Sequence, residues 1–424
     1  MHEVRTIEQA ILVSLETGDE EEDRSSIQEL RELVYTAGAE VVGEFAQRRQ
    51  KPDVGHFLGQ GKAEELFTEI KALDAELVIV NDDLTPTQQR NLEAVEGVRV
   101  IDRTQLILDI FAQRAHSHEG KLQVELAQLK YLLPRITSLY TQFERQQGGI
   151  GIRGPGETKL EADRRRILKR VKDLTDEIEK VRQHRHVQKH GRERLPFPTA
   201  ALVGYTSAGK STLLNTLSGS QVLVDAKLFA TLDPTTRRVV LPDGWAILVT
   251  DTVGFIRDLP HDLIAAFRAT LEEVTEADFL IHVVDASHPR MAAHMSAVNQ
   301  VLCELGAAGR PTVTVFNKSD LVKDQYVLRK IVADRPDSVY ISAMKREGIP
   351  HLMNLLSKTL QSLLVRLSLR IPYDRSDLVS LCYESGRVLS AEYTTDAILV
   401  EADISRDVAG KLEKYAIHEE VREP

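Results

Sequence analysis

The stretch TAALVGYTSAGKSTLLNTL (199–217) joins an apolar run to a glycine-rich loop and then to a helix-forming run. Its loop, Gly204, Tyr205, Thr206, Ser207, Ala208, Gly209, Lys210 and Ser211, has the GxxxxGKS spacing. Glycines let successive backbone N–H groups turn inward around phosphate oxygens, and the following helix adds its positive N-terminal end. Lys210 is then placed to reach the β- and γ-phosphates, and the Ser211 hydroxyl to hold Mg2+. DTVG (251–254) follows the apolar AILVT. Asp251 there is placed to hold Mg2+ through water and Gly254 to present its N–H to the γ-phosphate, with Thr252 and Val253 between them. NKSD (317–320) follows PTVTVF. Asp320 can accept from the N1–H and the exocyclic amine of guanine, a donor pair that adenine lacks. Asn317 braces this loop, the Lys318 stem covers the base, and Ser319 lies between. SAM (342–344) follows VYI, so the Ala343 N–H, flanked by Ser342 and Met344, faces guanine O6. The chemistry expected is in-line attack of water on the γ-phosphate of GTP, leaving GDP. Lys210, the loop amides, Gly254 and Mg2+ would stabilise the developing charge.

A GTP-hydrolysing site also needs a threonine that joins the Mg2+ shell when the γ-phosphate is present. LFATLDPTTRR (228–238) offers Thr231, Thr235 and Thr236, and spacing alone does not choose among them. The expected behaviour is order against disorder, with Thr231 and Gly254 held by the γ-phosphate and released after hydrolysis. The residue after DTVG is Phe255, where a glutamine often orients the attacking water; phenylalanine cannot do that. HDLIAAFRATLEEV (261–274) is the expected switch helix.

Four motifs, each after a strand-like run, belong at the carboxyl ends of a parallel sheet. The remaining chain must carry that site. Residues 1–111 alternate strand-like runs (9–15, 39–45, 75–82, 98–103) with helix-like ones (25–37, 61–73, 85–95, 104–115), which predicts a parallel sheet with crossover helices. Thr85 and Pro86 suit a helix start. Leu122, Leu126, Leu129, Leu133, Ile136, Tyr140 and Phe143 step by alternating fours and threes, as do Ile167, Val171, Leu174, Ile178 and Val181. These are heptad seams. The glycine-rich GGIGIRGPGE (148–157) between them predicts an antiparallel helical hairpin, with Pro134 kinking or breaking its first helix. RQHRHVQKHGRERLPFP (182–198) reads as a basic linker. The fold class expected is multidomain α/β. Its parts are an N-terminal parallel α/β domain (1–111), a basic antiparallel coiled-coil hairpin (112–195), a P-loop GTPase domain (196–365) and a small C-terminal α+β domain (366–424).

Charge is segregated. The chain of 424 residues carries a net −10, yet residues 112–195 hold 19 Lys and Arg against 11 Asp and Glu, a net +8. A basic segment within an acidic chain points to local contact with a polyanion. The hairpin tip carries Arg153, with Lys159, Arg164, Arg165 and Arg166 beside it and little apolar content, which suits close approach to RNA phosphates. Two cysteines, Cys303 and Cys382, exclude a disulfide scaffold and a cysteine-rich zinc domain. No apolar run approaches the ~18 residues of a membrane span. The start MHEVRTIEQA lacks a signal-peptide layout, so a cytoplasmic protein without membrane insertion is expected; a monomer with no DNA partner is the accompanying expectation.

The combination GYTSAGKSTLLN, LFATLDPTTRR, DTVGFIRDLPHDLIAAF and NKSD, preceded by GGIGIRGPGETKLEADRRR, resembles the HflX family of translation-associated GTPases, within the Obg-related group. The glycine-rich tip followed by EADRRR is the specific part. The resemblance implies a GTPase that binds the large ribosomal subunit through residues 148–166 and, in its GTP form, splits stalled or idle ribosomes. It implies that Thr231 is the Mg2+ threonine beside Ser211, and that Phe229, Ala230, Leu232 and Asp233 line the nucleotide with it. Potassium-dependent relatives often carry Asn where this chain has Ser207, a weaker donor, so K+ as a further cofactor rests on that serine alone.

Other features favour plainer roles. The seam residues are structural. His184, His186 and His190, like His116 and His118, lack the cysteines or paired carboxylates of a metal site and read as solvated basic stretches. Gly55, Gly59 and Gly61 precede a helix, but their spacing fits a tight turn better than a second nucleotide site. The competing functional reading is a GTPase switch for a protein partner, with the hairpin as a docking arm.

Overall fold

The structure is a computed structural model. It describes residues 7–93, 98–146, 155–192, 197–219, 228–229, 231–257 and 271–417. The chain forms two compact units. One comprises Met1–Val181 with Asp225–Asp233 and Arg257–Thr270; the other comprises Arg182–Val224, Pro234–Ile256 and Leu271–Pro424.

In the first unit, strands β1 (Gln9–Glu16), β2 (Glu40–Arg48), β3 (Leu77–Val80) and β4 (Arg99–Asp102) form a parallel sheet in the order β2-β1-β3-β4. Ala10–Val13 and Leu77–Val80 are almost wholly buried, as parallel strands covered on both faces must be. Helices α1 (Glu20–Ala37), α2 (Gln60–Ala72), α3 (Pro86–Leu92) and α4 (Arg103–Arg114) make the crossovers. Their starts are chemically marked: Asp19 caps α1, Thr85 and Gln88 form a reciprocal capping box on α3, and Asp102 caps α4.

The hairpin consists of α5 (His118–Gln146) and α6 (Pro155–Arg192). Leu122, Leu126 and Leu174 are buried together, with Leu129, Val171 and Ile178 packed around them, so the two predicted seams meet. The Arg170 guanidinium forks onto Glu125 across the seam at 2.7 and 2.8 Å. Arg135 ties α5 to the sheet, bonding the buried Asp102 carboxylate (2.7 Å) and the Leu84 carbonyl (3.0 Å). Pro134 lies inside α5, which continues past it to Gln146, so of the two expected outcomes a break is excluded. One expectation fails here. Residues 182–192, expected as a linker, continue α6. The prolines able to stop this helix, Pro196 and Pro198, lie beyond its end. The tip itself, with Arg153, lies outside the described residues.

In the second unit, β5 (Thr199–Gly204), β6 (Thr235–Val240), β7 (Ala246–Asp251), β8 (Phe279–Asp285), β9 (Thr312–Asn317) and β10 (Ser338–Tyr340) order as β10-β9-β8-β5-β7-β6. All pairs are parallel except β6 on β7, so the expected parallel sheet carries one antiparallel edge. Helices α7 (Lys210–Ser218), α8 (Glu272–Glu276), α9 (Met291–Glu304), α10 (Gln325–Ala333) and α11 (Ile349–Leu363) follow the strands. Leu202, Leu213, Ile247, Ile281, Val315 and Leu356 lie within one continuous core. The C-terminal part begins where α11 ends. It contains β11 (Leu364–Pro372), α12 (Ser376–Ser385), β12 (Gly386–Tyr393), β13 (Ala397–Ser405) and α13 (Arg406–Leu412), with an antiparallel sheet ordered β11-β13-β12. Cys382 is buried in its core, where burial pushes the thiol up to about 11. It packs there as a small apolar side chain.

Candidate functional site

The P-loop runs from the end of β5 to the start of α7. Ser207 and Gly209 take left-handed backbone (φ 56° and 93°), turning the loop inward. At Gly209 a side chain would collide with Asn317 Nδ2. Lys210 is buried at the loop's centre, and its ammonium donates to the Gly204 and Tyr205 carbonyls, each at 3.0 Å. Burial pulls its pKa down to about 8, and the Asp251 charge opposes that shift. A Cβ on Gly254 would lie 3.0 Å from this ammonium and 3.0 Å from Thr206 Cα, so the DTVG turn and the P-loop are in close contact.

A zipper joins these two motifs. Thr206 N donates to Phe255 O at 2.7 Å and Phe255 N to Gly204 O at 3.1 Å. Phe255 is 2% exposed, with its ring in the core. Thr252 Oγ1 donates to Leu202 O at 2.6 Å. The Ser211 hydroxyl donates to Asp251 Oδ2 at 2.6 Å. A hydroxyl and a carboxylate side by side, with the Lys210 ammonium near, form a hard-oxygen donor set that fits Mg2+ at a phosphate.

Asn317 joins the other two motifs. Its Nδ2 donates to Ala208 O (2.9 Å) and its Oδ1 accepts from Ala343 N (3.0 Å). The Ala343 N–H, expected to face guanine O6, thus braces the loop in this structure. Lys318 takes left-handed backbone, and its ammonium pairs with Asp285 at the end of β8 (2.7 Å). Asp320 is held below the usual carboxylate range by the Ser342 hydroxyl first, with Lys345 contributing. Ser319 and Ser342 are buried, and Met344 is exposed.

Other predicted residues belong to other elements. Thr235 and Thr236 are in β6, and Thr236 Oγ1 bonds to Thr250 Oγ1 at 2.9 Å. Phe229, Thr231, Leu232 and Asp233 belong to the other compact unit. Ala230 and residues 261–270 of the expected switch helix (261–274) lie outside the described residues. The Asp233 carboxylate, expected to line the nucleotide, accepts from the His116 and Ser117 amides. Among the described residues no group of three or more His, Cys, Asp or Glu side chains could hold a metal. Gly55 N and Gly59 N donate to Asp53 and Gln47, so those glycines serve a turn.

Three features carried no sequence signal. Tyr205 stacks on His294 of α9 (centroids 3.8 Å apart, planes 2°), and His294 in turn meets His288 at 4.2 Å. Thr216 Oγ1 donates to Ala343 O, tying α7 to the SAM loop (3.0 Å). His282, buried in β8, is driven down to about 4 by burial and then by the Lys210 charge.

The fold and this motif arrangement define a P-loop GTPase. Comparison with known proteins narrows the class. Family models match almost end to end: GTP-binding GTPase N-terminal over 24–112, GTP-binding GTPase Middle Region over 114–192, 50S ribosome-binding GTPase over 199–318, and HflX C-terminal domain over 327–419. GTPase HflX of Caldanaerobacter subterraneus is 46% identical over 97% of this chain and 95% of its own. GTPase HflX of Escherichia coli is 44% identical over 89% and 88%. The chain belongs to the HflX family of GTPases. The crystal structure of the SsGBP–GDP complex is 25% identical, covers 84% of this chain and 99% of that one, and has a TM-score of 0.50. No helix among the described residues is long and apolar enough to cross a membrane.

Proposed function

We propose that this GTPase is a nucleotide-dependent switch whose effector is the large ribosomal subunit in the cytoplasm, and that its GTP form splits stalled or idle ribosomes. The observation that carries the reading is the pairing of a GTP site with a strongly basic hairpin. Arg164, Arg165 and Arg166 stand exposed on α6 near its tip end. Phosphate contacts dominate RNA affinity, and a row of guanidiniums on a rigid helix suits them. The match to a 50S ribosome-binding GTPase model supports the same partner.

At the site, the Lys210 ammonium leaves two backbone carbonyls to meet the β- and γ-phosphates, whose charge offsets its burial. The amides of Gly204–Ser211, opened by the left-handed Ser207 and Gly209, cradle the phosphates. Ser211 and Thr231 would ligand Mg2+, with Asp251 behind them through water. Thr231 is favoured because Thr235 and Thr236 are committed to a strand. Bound Mg2+ supplies neutralisation of charge at the phosphate oxygens. Gly254 offers its N–H to the γ-phosphate, and Asp320 selects guanine. Residues 229–233 move with the nucleotide state. Phe255 holds the DTVG turn to the P-loop, so the attacking water is oriented by another group.

The test is co-sedimentation of the full chain with large ribosomal subunits. The nucleotide is a nonhydrolysable GTP analogue, GDP or none, at two salt concentrations, with an Arg164→Ala/Arg165→Ala/Arg166→Ala variant alongside. Binding with the analogue that weakens with salt and in the variant is expected. Absence of binding in every state would refute the ribosomal partner and leave a protein partner as the effector.

A further inference from the structure

The loop that carries Thr231 is built into the compact unit of the N-terminal sheet and hairpin. Three contacts within that unit seat it. Leu228 N donates to Thr36 Oγ1 at the end of α1 (3.2 Å). The Phe229 ring meets Phe111 of α4 edge-on, centroids 4.7 Å apart, with both side chains buried. Phe229 has φ 51°, a conformation a bulky residue keeps only when its surroundings impose it. Asp233 closes the series at the start of α5. Its carboxylate accepts from His116 N (3.0 Å), Ser117 N (2.8 Å) and the Ser117 hydroxyl, which itself accepts from Gly120 N (2.9 Å). A carboxylate thus sits at the positive end of a 29-residue helix.

The sequence is adapted to this contact. Gly120 lies in the first turn of α5, where alanine would favour the helix by about 1 kcal/mol. A Cβ there would stand 2.6 Å from Asp233 Oδ1 and 3.0 Å from Ser117 Oγ. Glycine keeps the helix start open for the carboxylate. Arg257, just after the DTVG motif, is anchored in the same unit by Glu22 (3.5 Å) and Glu29 (3.8 Å) of α1.

We propose that Asp233 is a latch between the nucleotide switch and the hairpin. The movement of Thr231 with the γ-phosphate makes or breaks the cap on α5, and the first turn of the hairpin reports the nucleotide state. This rests on the reading of Thr231 given above. Two residues of chain reach at most about 7 Å, so a larger excursion of Thr231 carries Asp233 with it.

The experiment is hydrogen exchange by mass spectrometry on the full chain with Mg2+ and either GDP or a nonhydrolysable GTP analogue. The His116 and Ser117 amides donate to Asp233, so their exchange reads the cap directly. We expect at least a tenfold difference in exchange over 116–121 between the two nucleotides. In Gly120→Ala the difference should fall below threefold, while segment 204–211 keeps its nucleotide response. Ser117→Ala, which removes one donor without adding bulk, should give an intermediate value and serves if Gly120→Ala folds poorly. Equal exchange over 116–121 in both nucleotides, or an undiminished response in both variants, would overturn the latch. Thr231→Ala is scored separately on affinity for the Mg2+–analogue complex. Unchanged affinity there would remove the Thr231 reading, whatever the cap does.

Discussion

Replacing Asp320 with Asn tests how the site chooses its base. The carboxylate accepts the Ser342 hydroxyl and lies 3.5 Å from the Lys345 ammonium, and both keep it ionised. Guanine brings two donors, and a hydrogen bond to a charged acceptor is worth about 1.5–3 kcal/mol net. Two such bonds would give about 3–6 kcal/mol. Asp320 already has partners before the base arrives, so the lower end applies, and about 3 kcal/mol is roughly a 150-fold change in affinity. The Asn amide also turns a donor toward the guanine amine. Xanthine carries a carbonyl at that position, so the same amide becomes complementary to it. Titration of fluorescent GDP and XDP analogues into native protein and Asp320→Asn should show GDP weakened about 100-fold or more and XDP strengthened. GDP affinity within threefold of native would refute the placement of the base against Asp320. A melting midpoint shared by both proteins would show that the comparison concerns recognition and not folding.

Asn317→Ala removes the bonds to Ala208 O and Ala343 N and should cost about 2–5 kcal/mol in urea denaturation, with faster GDP release; a loss under 1 kcal/mol would show the brace to be dispensable. His282 has a folded pKa of about 4 against an ordinary 6.5, so the folded state binds fewer protons between those values. Stability should therefore be complete above pH 6.5 and fall by up to about 3 kcal/mol as pH drops toward 4, and His282→Leu should flatten that part of the urea-midpoint profile. Leu174, fully buried in the hairpin seam, should cost about 2–4 kcal/mol as Leu174→Ala, read from denaturation followed by helical circular dichroism. Phe255→Gln should not accelerate single-turnover GTP hydrolysis, because position 255 faces the core; it should instead destabilise by about 3 kcal/mol, and a tenfold rate gain would contradict that orientation.

Much of the site was legible because phosphate and guanine chemistry demand particular residues at fixed spacing next to strand ends. Lys210, Ser211, Asp251, Asn317 and Asp320 all stand at such ends, where a parallel sheet gathers them. The heptad steps were legible for a similar reason, since Leu122, Leu126 and Leu174 can be buried only against another seam. Residues 182–192 misled because a charged, histidine-rich run looks like a linker when its helix has no apolar face to announce it. The antiparallel β6 was hidden because Thr235–Val240 carries the β-branched pattern of any strand, and direction is set by the short turn to β7. Pairings such as Tyr205 on His294 or Thr216 on Ala343 join residues far apart in sequence whose types have many possible partners.

Asp233 shows the limit most clearly. The family resemblance, which makes Thr231 the Mg2+ threonine, implies that Asp233 two residues later lines the nucleotide as well. Its carboxylate caps a helix that begins more than a hundred residues earlier. The signals for that contact were present separately: a Ser at 117 ahead of a helix, a Gly at 120 where helix propensity argues against one, and an acidic residue in a loop. Each has a local explanation, so none points to another. Only the collision that a Cβ at Gly120 would suffer with Asp233 binds the three together. Chemistry done on a ligand constrains residue type and spacing within one motif. Coupling between parts of a molecule constrains pairs distant in sequence, so it became visible only once the chain was folded.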